Sequence, residues 1–442
     1  MTRADFEIMA PVGSSESLAA ALQAGADSVY FGVGRLNMRA HSASAFTLDD
    51  LREIAATCRE HGVKSYLTVN TIVYDDDMPL LCQTLEAAAQ AGISAVIASD
   101  VAALNRAREL GLEVHLSTQL NISNTEALRF YAQWADVVVL ARELRIEQVE
   151  AIHRDIREQH ICGPSGREVR IEMFCHGALC MAVSGKCYLS LLNAGRSANR
   201  GECAQLCRRA YTVHDADTGT ELLVDGPYIM SPKDLKTIGF LDRLVAAGVR
   251  VFKIEGRARG PEYVRTVVEC YREALDAILA DATAMSPQPS SADTRLSAFQ
   301  SRQEEWTERL SRVFNRGFWD GYYQGQKLGE WTRSYGSEAT ERKVYVGRAT
   351  KYYSRLGLGE FHIEAAELHV GDRYLVTGPT TGAISGTVTE MHDDSCLAVP
   401  QVRQGDNVSF AVEAKVRPSD KLFRLDTSGS VEQQANPITD KH

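Results

Sequence analysis

One unit recurs through the first 256 residues, and it constrains the fold more than any other feature. A helix-like stretch ends at Gly or Ala, and a short apolar run follows at once. The junctions are QAG-ADSVYFG at Gly25, EHG-VKSYLTVN at Gly62, QAG-ISAVIAS at Gly92, ELG-LEVHLST at Gly111, WA-DVVVLA at Ala135 and AAG-VRVFKIEG at Gly248. Glycine ends a helix in the left-handed conformation without a Cβ penalty. The runs that follow are continuous and β-branched, as strands buried on both faces must be. In TLDDLREIAATCREHG, residues Leu48, Leu51, Ile54, Ala55 and Cys58 make one apolar helix face, and Asp49 and Asp50 sit where the helix dipole favours them.

Strands are expected at 7–11, 28–32, 64–70, 95–99, 113–118, 136–141, 170–176 and 251–256, with a ninth candidate at 228–231. Eight strands alternating with helices predict an α/β fold, a TIM-type (β/α)8 barrel over 1–280. An open doubly wound sheet is the runner-up. Gly32-Val-Gly34-Arg-Leu-Asn37 is only part of a dinucleotide fingerprint, because Asn37 stands where the third glycine belongs. Beyond the barrel, 281–300 reads as a linker. Residues 301–340 read as an aromatic-rich helical segment, with eight aromatics between 301 and 337. Short alternating runs with Gly turns over 341–426 read as a small C-terminal β-barrel domain, and 427–442 as a disordered tail.

Charge narrows the partners. The net of −10 excludes a protein that coats nucleic acid non-specifically. No stretch of about 18 apolar residues supports a membrane span, and no basic start with an apolar run marks a leader. A cytoplasmic location is expected, where thiols stay reduced. The ten cysteines are then core fillers, catalytic groups or metal ligands. The sequence leaves a homo- or hetero-oligomer open.

Five of the ten, Cys175, Cys180, Cys187, Cys203 and Cys207, crowd into a loop spanning 175–210. Cys58, Cys82 and Cys270 lie in helical patterns and read as small core hydrophobes. Four thiolates separated by six, fifteen and three residues can fold round one metal centre, zinc or iron–sulfur. Zinc ribbons use paired CxxC knuckles, which are missing here, so an irregular four-cysteine loop is closer to a 4Fe–4S site. The three-cysteine radical pattern CxxxCxxC fails because Ala210 stands where its third cysteine belongs. Buried thiols are the structural alternative. A thiolate–imidazolium pair of Cys175 or Cys180 with His176 is the catalytic one. HExxH and GxSxG are both absent.

The run Glu172-x-Phe174-x-x-Gly177-Ala178-Leu179-Cys180, four residues, then Gly185-x-Cys187-x-Leu189-Ser190 resembles the signature of the collagenase-like peptidases, family U32. MAPVGSSESLAAALQAGADSVYFG, LSTQLNISN, SPKDL, KIEGR and FNRGFWDGYY agree with it. Within that family the chain is most similar to the tRNA 5-hydroxyuridine synthases, then to the rRNA cytidine hydroxylase. The resemblance implies a barrel carrying a 4Fe–4S cluster on Cys180, Cys187, Cys203 and Cys207. It also implies oxygen-independent C5 hydroxylation of the tRNA wobble uridine with prephenate as hydroxyl donor. The alternatives are rRNA cytidine C5 hydroxylation and the peptidase activity in the family name.

Polar residues at predicted strand ends complete the candidate site. Glu172, His176 and Glu255 are the candidates for proton transfer. Arg39, Asn70, Gln119, Arg142, Lys253 and Arg257 are the candidates for substrate binding. Among them Arg39, Arg142 and Arg257 suit the small dicarboxylate, since guanidinium grips carboxylate in a bidentate fork. Lys186, Arg196, Arg200, Arg208 and Arg209 against Glu202 give a local net of +4, a basic strip where tRNA or rRNA could dock. A second basic run spans 250–272. Ordinary ion pairing is the simpler reading for any single arginine. Packing is the simpler reading for the aromatics of 306–335, with base stacking as the rival.

Overall fold

The computed structural model describes residues 1–40, 46–222, 227–284 and 297–427. These fall into two compact units, Met1–Leu310 with Phe314–Glu338, and Ser311–Val313 with the chain from Ala339 onward. Among the described residues no helix is long and apolar enough to cross a membrane.

In the first unit the recurring junctions become strand–helix repeats. The strands are β1 (Glu7–Pro11), β2 (Ser28–Phe31), β3 (Lys64–Val69), β4 (Ala95–Ala98), β5 (Glu113–Leu116), β6 (Val137–Val139), β7 (Arg170–Ala178), β8 (Asp234–Lys236) and β9 (Val249–Ile254). β1 to β7 pair in parallel in sequence order, and β9 pairs in parallel with both β7 and β1, which closes an eight-stranded barrel. The open-sheet alternative is therefore wrong. Helix Leu51–Glu60 buries Leu51, Ile54, Ala55 and Cys58, four of the five residues read as its face; Leu48, Asp49 and Asp50 precede it, Asp50 as the N-cap. Gly92 caps helix Met78–Ala91 at φ 75°, donating its N–H to the carbonyls of Ala88 and Ala89. The strands' inner faces contribute Met9, Tyr30, Tyr66, Ala95, Ile97, Val137 and Val251 to a buried core.

Several sequence expectations need correction. Residues 228–231 form no strand. The additional strand is β8, which runs antiparallel to the end of β7 with Asp234 opposite Ala178 and Lys236 opposite His176. The partial glycine fingerprint opens no helix: Asn37 is buried and its amide donates to the carbonyls of Val33 and Gly34. Both ends of the expected linker are helical, in Pro261–Ala284 and Ala298–Ser301, and 285–296 lie outside the described residues. The aromatic segment is helical only in Gln303–Arg312. After it come turns and a two-residue strand, β10 (Phe318–Trp319), parallel to β8. Its Trp306, Trp319 and Tyr323 are buried, and Tyr323 donates to the Phe174 carbonyl at 2.9 Å. Of the segment's aromatics only Tyr335 is largely exposed, at 77%.

The second unit is an antiparallel sheet of β11 (Glu341–Tyr353), β12 (Leu358–Ile363), β13 (Arg373–Gly378), β14 (Gly382–Thr387), β15 (Asn407–Ala411) and β16 (Lys421–Thr427). Its order is β14-β13-β16-β11-β12-β15. Among the described residues no ladder joins β14 to β15, but an isolated antiparallel bridge between His392, just past β14, and Ser409 of β15 links the two edges, in keeping with the small barrel expected. Alternation supplies its core, with Phe361 and Phe410 stacked at 4.7 Å. The proposed tail, apart from Thr427, lies outside the described residues.

Candidate active site

The C-terminal ends of the barrel strands open into a pocket, and the cysteine loop forms its roof. From the strand ends come Tyr30, Thr68, Asn70, Ser117, Gln119, Arg142, Phe174, Lys253, Glu255 and Arg257, with Met38 and Arg39 from the chain after β2. From the loop come Cys180, Cys187, Cys203 and Cys207 together. An adjoining lobe shares Arg39, Arg142, Glu255 and three of these cysteines, and adds Arg208, Arg259 and Arg316.

The loop is fastened down by polar contacts rather than by a core. Asn121 donates to the Ser184 carbonyl at 3.0 Å, and Arg208 donates to the Leu179 carbonyl at 2.7 Å and to Ser231 Oγ at 3.0 Å. The Ile72 N–H reaches the Asn199 carbonyl at 3.0 Å. Arg200 pairs with buried Asp77 and lies 4.2 Å over the Tyr74 ring. The conformation needs glycine at Gly201, at φ 84°, where a Cβ would overlap the Asn37 carbonyl.

Four thiols face one pocket. Burial raises the Cys207 thiol, Arg208 opposes that, and the other three thiols raise it further by mutual repulsion. A multivalent cation would reverse that repulsion. Among the described residues no three His, Cys, Asp or Glu side chains converge on one metal-ion position. Zinc needs its thiolates about 2.3 Å from a single ion. Four soft thiols facing one pocket are nevertheless a donor set suited to a thiolate-bound metal centre.

The cations have distinct duties. Arg39 pairs with Glu255 at 2.7 Å. Burial works to raise Glu255, but Arg39, Arg259 and Arg142 overcome it and hold the carboxyl at about 2, so it stays ionised. Arg257 donates to Thr68 Oγ1 at 2.7 Å and to Asn37 Oδ1 at 3.3 Å; burial lowers it to about 10, which leaves it charged at neutral pH. Arg142 lies 4.3 Å over the Phe174 ring and donates to the Ala178 carbonyl at 3.3 Å, while its buried Nε has no partner. Asn70 bonds Ser117 Oγ at 3.0 Å and lies 3.4 Å from Gln119 Oε1, so these two candidates brace each other at the pocket wall.

Two proton-transfer candidates do not line the pocket. Glu172 lies below it, fully buried inside the barrel against Lys253. His176 is turned outward among Tyr263, Tyr271 and Phe318. The reason is a bulge: Lys253 pairs with Phe174 and Ile254 with His176, so Cys175 has no opposite residue and the alternation shifts by one. Burial lowers His176 to about 3, and Lys236 adds to this. Burial also raises the Cys175 thiol, whose Sγ sits 3.4 Å from the Lys253 carbonyl. The pair is neutral thiol and neutral imidazole, not a thiolate–imidazolium nucleophile. The sequence reading missed Tyr30, Thr68 and Ser117, which strand-end position could have revealed. It also missed Arg316, for which the sequence carries no signal.

Residues 13–333 match the sequence model described as Peptidase family U32. The chain belongs to that family. It is 60% identical over 425 residues to a Porphyromonas gingivalis protein named "Collagenase", covering 96% of this chain and 98% of that protein. It is 30% identical over 425 residues to "tRNA hydroxylation protein P1" of Bacillus subtilis, covering 94% of each. A 23S rRNA 5-hydroxycytidine synthase of Escherichia coli is 37% identical over 278 residues, which is 62% of this chain and 40% of that protein.

Proposed function

We propose that this U32 protein is an RNA-modifying enzyme that hydroxylates C5 of a pyrimidine, the wobble uridine of tRNA, with prephenate as hydroxyl donor. The observation that carries the reading is the shared pocket: four thiols of the family loop face Arg39, Arg142, Lys253 and Arg257 across one cavity. The relatives named as tRNA and rRNA hydroxylation proteins support the same reaction class.

Cys180, Cys187, Cys203 and Cys207 would hold a 4Fe–4S cluster, which when bound supplies an electron-transfer centre beside the substrate. Arg142, with a free Nε, and Arg257 are placed to grip the two carboxylates of prephenate. Glu255 stays an anion and orients Arg39. Lys253 is, among the described residues, the one lysine lining the pocket, and it would hand over a proton. The basic strip at Lys186, Arg196 and Arg209 would meet RNA phosphates at the rim.

The test is nucleoside mass spectrometry of tRNA and rRNA from a strain lacking the gene, complemented with wild type or Cys187→Ala. Loss of tRNA 5-hydroxyuridine, restored only by wild type, is expected. Unchanged uridine with lost 5-hydroxycytidine in rRNA would reassign the substrate. The 60% identity to a protein named collagenase favours peptide hydrolysis as the second reading. However, among the described residues no histidine or aspartate lines the pocket to activate a nucleophile. Gelatin cleavage by the pure protein that survives iron removal would favour hydrolysis.

A further inference from the structure

The inside of the barrel holds a chain of ionisable groups that the pocket alone does not explain. Lys253 Nζ lies 2.7 Å from Glu172 Oε1. Glu172 Oε2 lies 3.4 Å from His115 Nδ1, and His115 Nε2 lies 3.5 Å from Glu113 Oε1. The first three side chains are 6%, 0% and 1% exposed, and Glu113 is 40% exposed. Lys253 lines the pocket, whereas Glu113 is the first residue of β5. Strand polarity puts those two ends on opposite faces of the barrel. The chain therefore runs from the pocket to solvent on the far side.

Such a column is costly. Each buried ion loses several kcal/mol of hydration unless partners compensate, and branched aliphatic side chains usually fill this space. His115 Nε2 is buried and makes no hydrogen bond, with Glu113 Oε1 standing 3.5 Å from it. The neighbours leave the column free to carry a proton. Tyr66 lies tilted against His115, ring centroids 4.4 Å apart, and donates to Glu7, and Glu7 is fixed as an anion by Lys64 and Arg170. At the other end Arg257, Arg142, Tyr30 and Phe174 surround Lys253.

We propose that Lys253 exchanges a proton with the substrate in the pocket, and that Glu172, His115 and Glu113 carry that proton between Lys253 and solvent through the barrel axis. The Lys253 ammonium gives its proton to the substrate and becomes an amine. His115 passes its Nδ1 proton to the Glu172 carboxylate, which hands it to the amine, while His115 Nε2 takes a proton that the Glu113 carboxylate has picked up from water. A turn of the ring resets the tautomer. One proton enters for each delivered, and no electron moves. Burial, which favours the neutral amine, and the Glu172 carboxylate, which favours the ammonium, leave Lys253 below the ordinary lysine value, where it can release a proton. Lys253 is the catalytic residue here, and Glu172, His115 and Glu113 act through it. Only the use of the path in hydroxylation rests on the function proposed above.

Two measurements on the full chain test it. With histidines labelled by 15N, and the His115 signal assigned by its loss in His115→Gln, the exchange of the His115 ring proton with solvent is measured. Glu113→Gln should slow it at least about tenfold, a low bound on what a positioned proton carrier contributes, without moving the thermal midpoint. An unchanged exchange rate overturns the path. In the hydroxylation assay, Glu113→Gln should lower kcat and not KM, with Glu113→Asp restoring it, and Lys253→Met should lower kcat about 100-fold or more. Full turnover in Lys253→Met overturns the role of Lys253. If wild type makes no product, the functional reading fails, and the exchange measurement still decides the path.

Discussion

Replacing Glu7 with Gln should cost the barrel unit roughly 3 kcal/mol at neutral pH, and the loss should fade in acid. Glu7 is buried on β1. It accepts from the Tyr66 hydroxyl at 2.7 Å, and Lys64 and Arg170 lie 3.1 and 3.4 Å away. Burial alone would raise its carboxyl, but Lys64, His115, Tyr66 and Arg170 together bring it from 4.5 down to about 2. That difference is worth roughly 3 kcal/mol of folding free energy. Because the folded value lies below the unfolded one, the contribution is complete above about pH 4.5 and disappears as pH falls towards 2. For a unit of this size, 3 kcal/mol corresponds to roughly 4 °C in thermal midpoint. Thermal scans of wild type and Glu7→Gln at pH 7, 5, 4 and 3 should show that gap at pH 7 and its narrowing below pH 4.5. A gap that is absent at pH 7, or equally wide at every pH, would refute the compensation argument.

Three further outcomes are expected. Cys187→Ala should bind less iron than the roughly four atoms per chain of a 4Fe–4S site and lose the brown absorbance, with the barrel's thermal midpoint unchanged; iron analysis of protein purified without air checks this. His176→Gln should flatten the acid sensitivity of stability. The folded ring stays neutral to about 3 while the unfolded ring takes up a proton near 6.5, so wild type loses stability as pH falls through that window; equal slopes in both proteins between pH 7 and 4 would count against this. Gly13→Ala should destabilise by about 1–3 kcal/mol, because its Cβ would overlap the Arg257 carbonyl oxygen; the urea midpoint reports it.

What the sequence disclosed follows from which forces are local. Helix ends at Gly25, Gly62, Gly92, Gly111 and Gly248 and the apolar runs behind them are local signals, and all five glycines take positive φ. They carry the barrel almost by themselves. The pocket cations were legible because a barrel's chemistry sits at its strand ends. His176 was misplaced because alternation from Glu172 and Phe174 points it inward, and the bulge at Cys175 depends on pairing with β9, some eighty residues away. His115 reads as one polar residue in an apolar run, and only barrel closure brings it beside Glu172. The strand at Asp234–Lys236 was missed for a similar reason. Its three residues carry no period, and their structure comes from the partner β7.

That last pairing has a consequence for assembly. The cysteine loop departs where β7 ends and returns through β8, which lies along the same stretch of β7. Its two ends are thus held side by side by the sheet, which meets the entropy of closing the excursion. A barrel that does not depend on the loop's interior would let the proposed cluster bind after folding rather than during it. Loss of that cluster should, by the same topology, be a local event. Lineages could lengthen, shorten or rewire this loop without renegotiating the scaffold beneath it.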